Sequence, residues 1–287
     1  MPTRRRPATR AETPSAAHDG RLLIERRGAS QGGAHGGIEL WTIHRPEVRN
    51  AVDFATFDAL LAAAARAARD PALRAVVLTG AGTTFVSGGD LRELRDLLSR
   101  RDATRIAETG RRACDALRSL PVPVIAALPG PAIGGGAELA VACDVRIADP
   151  SARLSFKHAR MAVTTAWGTL PKLVSMVGHG TASRLLLAGH ELDAAEALRV
   201  GLVDAIAEPG RLLETAVAWA SDVAKGAPGA VASLKALLRD ASDLPAPAAK
   251  TRRAHELKLF QQAWAGGDHH EAVEAFFANR PPEWQRR

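Results

Sequence analysis

Tyrosine is missing from this chain of 287 residues, and aromatic side chains make up only 4% of it, seven Phe and five Trp. A substrate pocket here has few aromatic walls to draw on. Cysteine is nearly missing too. Cys114 and Cys143 are too few for a disulfide framework and lack metal-ligand spacing, so two free thiols in a reducing cytoplasm, and no metal, are expected. No apolar run reaches the roughly 18 residues a transmembrane helix needs, which argues against a membrane protein. What remains is ordinary for a globular chain: 46% apolar and 24% charged residues, and enough length to bury a full core.

The net charge of +7 raises the question of a nucleic-acid partner, and its location answers it. Residues 1–27 hold +4 and residues 279–287 hold +2, so the long body between them carries about +1. Basic tails on a near-neutral body do not make a polyanion-binding face. Residues 1–20 are expected to be a disordered Arg/Ala/Pro tail. Glu12, Asp19 and the lack of an apolar periodic face argue against a transit peptide.

An α/β core is expected over residues 21–210 and a helical region over 211–287. "RLLIERRG" and "IELWTIHRP" are expected to be strands joined by the Gly-rich turn "GASQGGAHGG". Residues 48–70 show helical spacing, with Phe54, Phe57, Leu60 and Leu61 on one side. "LRAVVLTG" and "PVPVIAALPG" are short apolar runs, hence buried strands, and "CDVRIAD" and "ARLSFKH" are expected to be short strands. Residues 91–120 are expected to be helical with an interruption near Asp102, and 170–189 helical again. Strands alternating with helices predict a layered fold on a mainly parallel sheet. From Leu212 onward only amphipathic helices are expected, and Trp264, Phe276 and Phe277 there have little core left to cover them, which predicts an oligomer interface.

The chemistry concentrates in "PGPAIGGGAELAVACD", residues 129–144, where three glycines precede a carboxylate in an apolar stretch. A strand that passes through glycines into a helix exposes amide groups with no side chain in the way, at the positive end of the helix dipole. Such a place suits an anion or a developing oxyanion. Phosphate is disfavoured, since the Walker Lys-Ser/Thr pair and the GxGxxG spacing are both absent. Glu138 follows Gly135 by three residues, one helical turn, so both can face the same point. An amide donor and a carboxylate facing one carbonyl suit enolate chemistry: the donor holds the oxygen and the acid moves a proton at the neighbouring carbon. A solvated helix glutamate is the plain alternative, and the neighbours Ala137, Leu139, Ala140 and Val141 argue against it. "GAGTTFVSGGDLREL", residues 80–94, repeats the strand–glycine–helix pattern and offers Gly89 as a second donor.

"FVSGGDLREL" resembles the F-x-A-G-x-D-φ-x-E-L segment of the crotonase superfamily, which contains enoyl-CoA hydratases and isomerases. "IAALPGPAIGGGAELAVACDVRIAD" resembles its second motif nearly position by position. "HRPEVRNAVD", "LLLAGHELDAAEALRVGLVDAI" and "EAVEAFFANRPPEW" extend the similarity over about residues 22–284. The resemblance implies a ClpP/crotonase-like fold of repeated ββα units with a helical trimerisation region, assembled as a trimer or dimer of trimers. It implies that Gly89 and Gly135 donate to the thioester oxygen and that Glu138 is the first of two catalytic glutamates. It also implies contacts to substrate or CoA from Arg49, Ser87, Asp90, Gly134 and Trp167. No cofactor is expected beyond the CoA that the substrate carries.

The family's second glutamate sits in a segment like F-x-x-P-E-x-x-x-G. Here the stretch is "LSFKHARMAVTTAWGTL"; His158 is read as standing in the glutamate's place, with Ala162 and Thr165 for the usual Gly and Pro. A histidine of ordinary pKa near 6.5 suits acid/base work, so His158 joins Glu138 as a catalytic candidate. The same stretch and "ELKLFQQAWAGG" are similar to the ethylmalonyl-CoA decarboxylase branch. Hydratase/isomerase chemistry is therefore the leading expectation and decarboxylation of a malonyl-type thioester its rival, with an RNA-binding crotonase homologue as the alternative from another class.

Overall fold

The computed structural model describes residues 15–17, 20–27, 37–242 and 246–283. Most of the expected basic tail and of the Gly-rich turn lies outside those residues. Within residues 1–20, however, Ser15–Ala17 forms a strand, β1, so the expected disorder does not extend through the whole tail.

β1 pairs antiparallel with β2 (Leu22–Arg27), and β2 with β3 (Gly37–Ile43). From β3 the sheet runs parallel through β4 (Leu73–Gly80), β5 (Val124–Leu128), β7 (Val145–Ala148) and β10 (Ala205–Ile206). A second sheet joins β6 (Ala132–Ile133), β8 (Arg153–Ser155) and β9 (Glu191–Asp193). Neither β6 nor β9 was expected; each is too short to leave a periodic pattern.

Strand periodicity explains why β5 and the middle of β4, residues 75–78, are apolar on both faces. Val76, Leu78, Val124, Ala126 and Leu128 face one cluster, beneath α1 (Phe54–Ala67) and α3 (Arg100–Ser119). Ala75, Val77, Ile125 and Ala127 face a second cluster beneath α7 (Leu212–Val223), with Leu212, Ala216 and Ala220. A strand covered on both faces has no polar side to show.

Three boundaries differ from expectation for identifiable reasons. The helix expected over 48–70 starts at Phe54, because Arg49 and Asn50 have left-handed φ of 54° and 55° and Asp53 caps the helix by accepting from the Thr56 amide at 2.8 Å. The break expected near Asp102 lies before it, between α2 (Leu91–Leu94) and α3, where Ser99 and Asp102 form a reciprocal capping box. In "ARLSFKH" the strand stops at Ser155, and Lys157–Met161 winds into a 3-10 turn. α4 (Gly135–Ala142) follows β6, and α5 (Leu170–Leu187) kinks at Gly178, whose φ is +73°.

After α6 (Ala194–Arg199) and β10, the described chain is helical as expected: α7, α8 (Pro228–Ser242), α9 (Ala246–Trp264) and α10 (Gly267–Phe277). These helices do not merely hang from the core. Lys235 of α8 is buried, and its ammonium reaches Asp144 Oδ2 at 2.7 Å and the Val122 carbonyl at 2.9 Å. Trp264, expected to lack cover, is buried in the main cluster and donates from Nε1 to the Leu97 carbonyl at 2.5 Å. Phe276 and Phe277 are exposed, as expected. Among the described residues no helix is long and apolar enough to cross a membrane.

Candidate active site

Two strand–glycine–helix junctions meet beside one another. The loop after β4 is held by Asn50, which donates through Nδ2 to the carbonyls of Ala81 and Thr84 at 2.9 and 2.7 Å. Its far end is pinned to Val52, with the Val52 amide on the Gly88 carbonyl at 2.8 Å and the Asp90 amide on the Val52 carbonyl at 2.9 Å. That pairing uses the amides on either side of Gly89 and leaves its own without a protein acceptor among the described residues. The loop after β5 docks on the first one: Phe85 donates to Pro131 and Ile133 to Val86, each at 3.0 Å. A methyl group on Gly88 would lie 3.9 Å from the Gly135 nitrogen, so the junctions approach at Gly135 and the residue before Gly89. The Gly135 amide likewise has no protein acceptor among the described residues.

Each of the three glycines has its own reason. Gly134 turns the chain with a φ of +57°, a region that L side chains rarely occupy. A side chain on Gly135 would run into the Trp167 ring, and one on Gly136 into the Val86 carbonyl. Close approach of ring and backbone is therefore what the missing side chains allow.

One turn into α4, Glu138 is 1% exposed. A buried carboxylate needs donors, and this one has three. Thr169 Oγ1 donates to Oε2 at 2.8 Å, the Trp167 amide to Oε2 at 3.2 Å, and His158 Nε2 lies 3.1 Å from Oε1. A carboxylate only accepts, so in this arrangement Nε2 carries the hydrogen. The imidazole Nδ1 is then buried with no hydrogen-bond partner among the described residues.

His158 therefore belongs to the site, but the reason for expecting it needs correcting. Counted along F-x-x-P-E from Phe156, the glutamate's place falls on Arg160. Arg160 is exposed and donates to the Ala188 carbonyl at 3.3 Å. The 3-10 turn instead aims His158, two residues earlier, at Glu138. By the same count the places expected for Gly and Pro at Ala162 and Thr165 shift by two residues, the Gly to Thr164. Ala162 takes a left-handed φ of 52° and ends the turn.

The other sequence-derived residues divide. Trp167 is a wall of the site, packed on Gly110 and Gly135 and edge-on to Phe57 with ring centroids 5.3 Å apart. Arg49 and Ser87 flank the Gly88–Gly89 step, the Ser87 amide donating to the Arg49 carbonyl at 3.2 Å. Asp90 is already occupied: its carboxylate caps α2 through the Arg92 amide and pairs with Arg45 at 2.9 Å. Such an acid fixes the loop and has little left for a ligand. Neither thiol is a nucleophile candidate, since burial pushes Cys143 up to about 12 and burial with the Glu138 charge pushes Cys114 well above its ordinary range. Among the described residues, no group of three His, Cys, Asp or Glu could hold a metal ion.

Two groups escaped the sequence reading. Thr169 stands at the N-cap position of α5, yet its hydroxyl makes no cap hydrogen bond and donates to Glu138 instead. Glu256 of α9 accepts from Thr165 Oγ1 at 3.4 Å; burial first, and then the charge of Glu138, push its carboxyl up to about 7. No local motif marks it, because it arrives from 91 residues away.

Comparison with known proteins gives a consistent picture. Residues 33–287 match the family described as enoyl-CoA hydratase/isomerase. The chain is 32% identical over 252 residues to the 2,3-dehydroadipyl-CoA hydratase of Escherichia coli, covering 87% of this chain and 96% of that one. It is 32% identical over 249 residues to the short-chain-enoyl-CoA hydratase of Clostridium acetobutylicum, covering 86% and 94%. The crystal structure of an enoyl-CoA hydratase/isomerase from Pseudoalteromonas atlantica T6c superposes with a TM-score of 0.77 at 30% identity, covering 86% of this chain and 96% of that one.

Proposed function

The chain belongs to the enoyl-CoA hydratase/isomerase family, within the crotonase superfamily, and we propose that it adds water across the double bond of an enoyl-CoA thioester. One observation carries this reading. A buried carboxylate held by three donors stands one helical turn from the nearer of two adjoining amides that have no protein acceptor among the described residues. The Gly89 and Gly135 amides would receive the thioester oxygen, and Glu138 would take a proton from water as its oxygen bonds to the β-carbon. The electron pair of the C=C bond moves toward the thioester and is held as an enolate, after which the site returns one proton to the α-carbon. Donors fixed in advance where charge develops are worth roughly 10²–10³ in rate each.

Decarboxylation is disfavoured. That reading assigns His158 to a substrate carboxylate, whereas His158 is committed to Glu138, and Glu256 adds a second acid nearby. The relatives described above are named as hydratases. CoA enters as part of the substrate, and no separate cofactor takes part in the scheme. The buried free thiols suit a reducing, cytoplasmic setting. A homotrimer or a dimer of trimers would cover Leu234, Leu237 and Leu238 on α8 and Phe276 and Phe277 on α10, all exposed in the single chain.

Mass spectrometry of products from a panel of enoyl-CoA and malonyl-type thioesters tests the reaction. Gain of one water by an enoyl-CoA is expected. Loss of CO2, or an unchanged mass with a moved double bond, would overturn hydration.

A further inference from the structure

Hydration moves two protons, one off water and one onto carbon, and the place of the family's second glutamate is taken by the outward-facing Arg160. The fold brings a different carboxyl to the same interior. Glu256 is half-buried on α9, and that helix is seated by Phe260 and Trp264 in the core cluster that also contains Ala166 and Trp167. It is bonded to Thr165, two residues before the Trp167 amide that holds Glu138. The Thr165 hydroxyl is the donor that Glu256 uses.

We propose that Glu256 is a second acid/base group of this site, the carboxyl whose proton is delivered to the α-carbon while Glu138 takes its proton from water. This rests on the hydration reading. The proton left on Glu138 returns to Glu256 through solvent once product has gone, so the cycle closes with no other reactant.

Their surroundings divide the labour. Glu138 accepts from the Thr169 hydroxyl, the Trp167 amide and the His158 imidazole. Glu256 has one long hydrogen bond and a low-dielectric setting, and its carboxyl, raised to about 7, keeps its proton where Glu138 works as a base. A carboxyl that burial keeps protonated, beside one that accepts from three donors, lets the two divide the proton transfers between them. The charged groups around Glu256 are Glu138 from α4, with His158 beyond it, and Arg252 and Arg253 from its own helix. The segment 162–169 brings no titratable side chain. Further along α9, Arg105, Glu108 and Arg112 of α3 line a cleft with Gln261, and His269 of α10 stacks on Trp264.

The test compares the full-length wild type with Glu256→Gln and Glu138→Gln. In the wild type, kcat/KM for hydration is expected to fall as pH rises past about 7, as Glu256 loses its proton. Glu256→Gln should lower the rate at pH 6 about 10²-fold and remove that limb. A Glu256→Gln enzyme that keeps both rate and limb would overturn the proposal. Infrared difference titration reads the same carboxyl without turnover. A protonated-carboxyl band should disappear near pH 7 in the wild type, be absent in Glu256→Gln, and disappear at lower pH in Glu138→Gln, where the neighbouring charge is gone. A band unaffected by either substitution would also overturn it. If the wild type hydrates no enoyl-CoA, the hydration reading fails, and the infrared titration still decides whether Glu256 is the protonated partner of Glu138.

Discussion

The two glycine junctions near Glu138 are held by backbone hydrogen bonds between loops that follow β4 and β5. The α9 region is held by side chains: Trp264 on the Leu97 carbonyl, Gln261 Nε2 on Thr104 Oγ1 at 2.6 Å, and Glu256 on Thr165. The first region works by what its residues lack. Gly134 makes a left-handed turn, and side chains on Gly135 and Gly136 would meet a ring and a carbonyl, so substitutions there are strained or blocked. The second works by what its residues bring, and a side chain can be changed without moving the backbone. On the proposed reading, the junctions set where a carbonyl is held and the helix sets which proton chemistry surrounds it.

The largest effect expected on the junction side is that of Glu138→Gln. Amide and carboxylate have the same shape, so substrate binding should stay near normal while the rate falls by about 10²–10⁴. On the helix side, Trp264→Ala should act on stability instead. Removing a buried indole from the core costs about 3–5 kcal/mol, measured by urea unfolding. If Trp264→Ala proved as stable as the wild type, α9 would not be seated as described and the contrast between the regions would collapse. Gly135→Val comes next, with a rate loss of roughly 10²–10³ as the donor is displaced against Trp167.

The smallest effect sharpens the comparison through pH. Glu256 binds its proton more tightly in the folded chain, about 7 against the ordinary 4.5, so its contribution to stability is present below about 4.5 and declines as pH rises to about 7. Glu256→Gln should therefore be more stable than wild type above pH 7, by up to about 3 kcal/mol, and the difference should vanish in acid. Denaturant midpoints at pH 5 and pH 8 would show it, and equal midpoints at both would place Glu256 in water. Oligomerisation can be separated from folding with Leu237→Glu and Leu238→Glu. Both leucines are exposed on α8, so sedimentation should show a smaller assembly without loss of the fold.

The same contrast explains what could be read from sequence. Glycine triplets, the apolar neighbours of Glu138 and the β-branched runs of β4 and β5 are local patterns whose physical causes act locally. They led to Gly89, Gly135 and Glu138 directly. His158 was reached through a motif that, counted strictly, lands on Arg160; only the path of the 3-10 turn shows which side chain reaches Glu138. Asp90 looked available because its partner, Arg45, is 45 residues away. Glu256 and the cover over Trp264 depend on α9 folding back over the core, and no spacing within α9 encodes that contact.

The most direct test of Glu138 as the base of a hydratase is turnover of crotonyl-CoA in D2O by wild type and Glu138→Gln, with rate and product mass followed together. The wild type is expected to give the 3-hydroxyacyl-CoA with one deuterium at the α-carbon, at roughly 1–10³ s⁻¹. Glu138→Gln should give it at least about 10²-fold more slowly. An equal rate in both proteins, or a wild type that leaves crotonyl-CoA untouched while releasing CO2 from a malonyl-type thioester, would contradict the assignment.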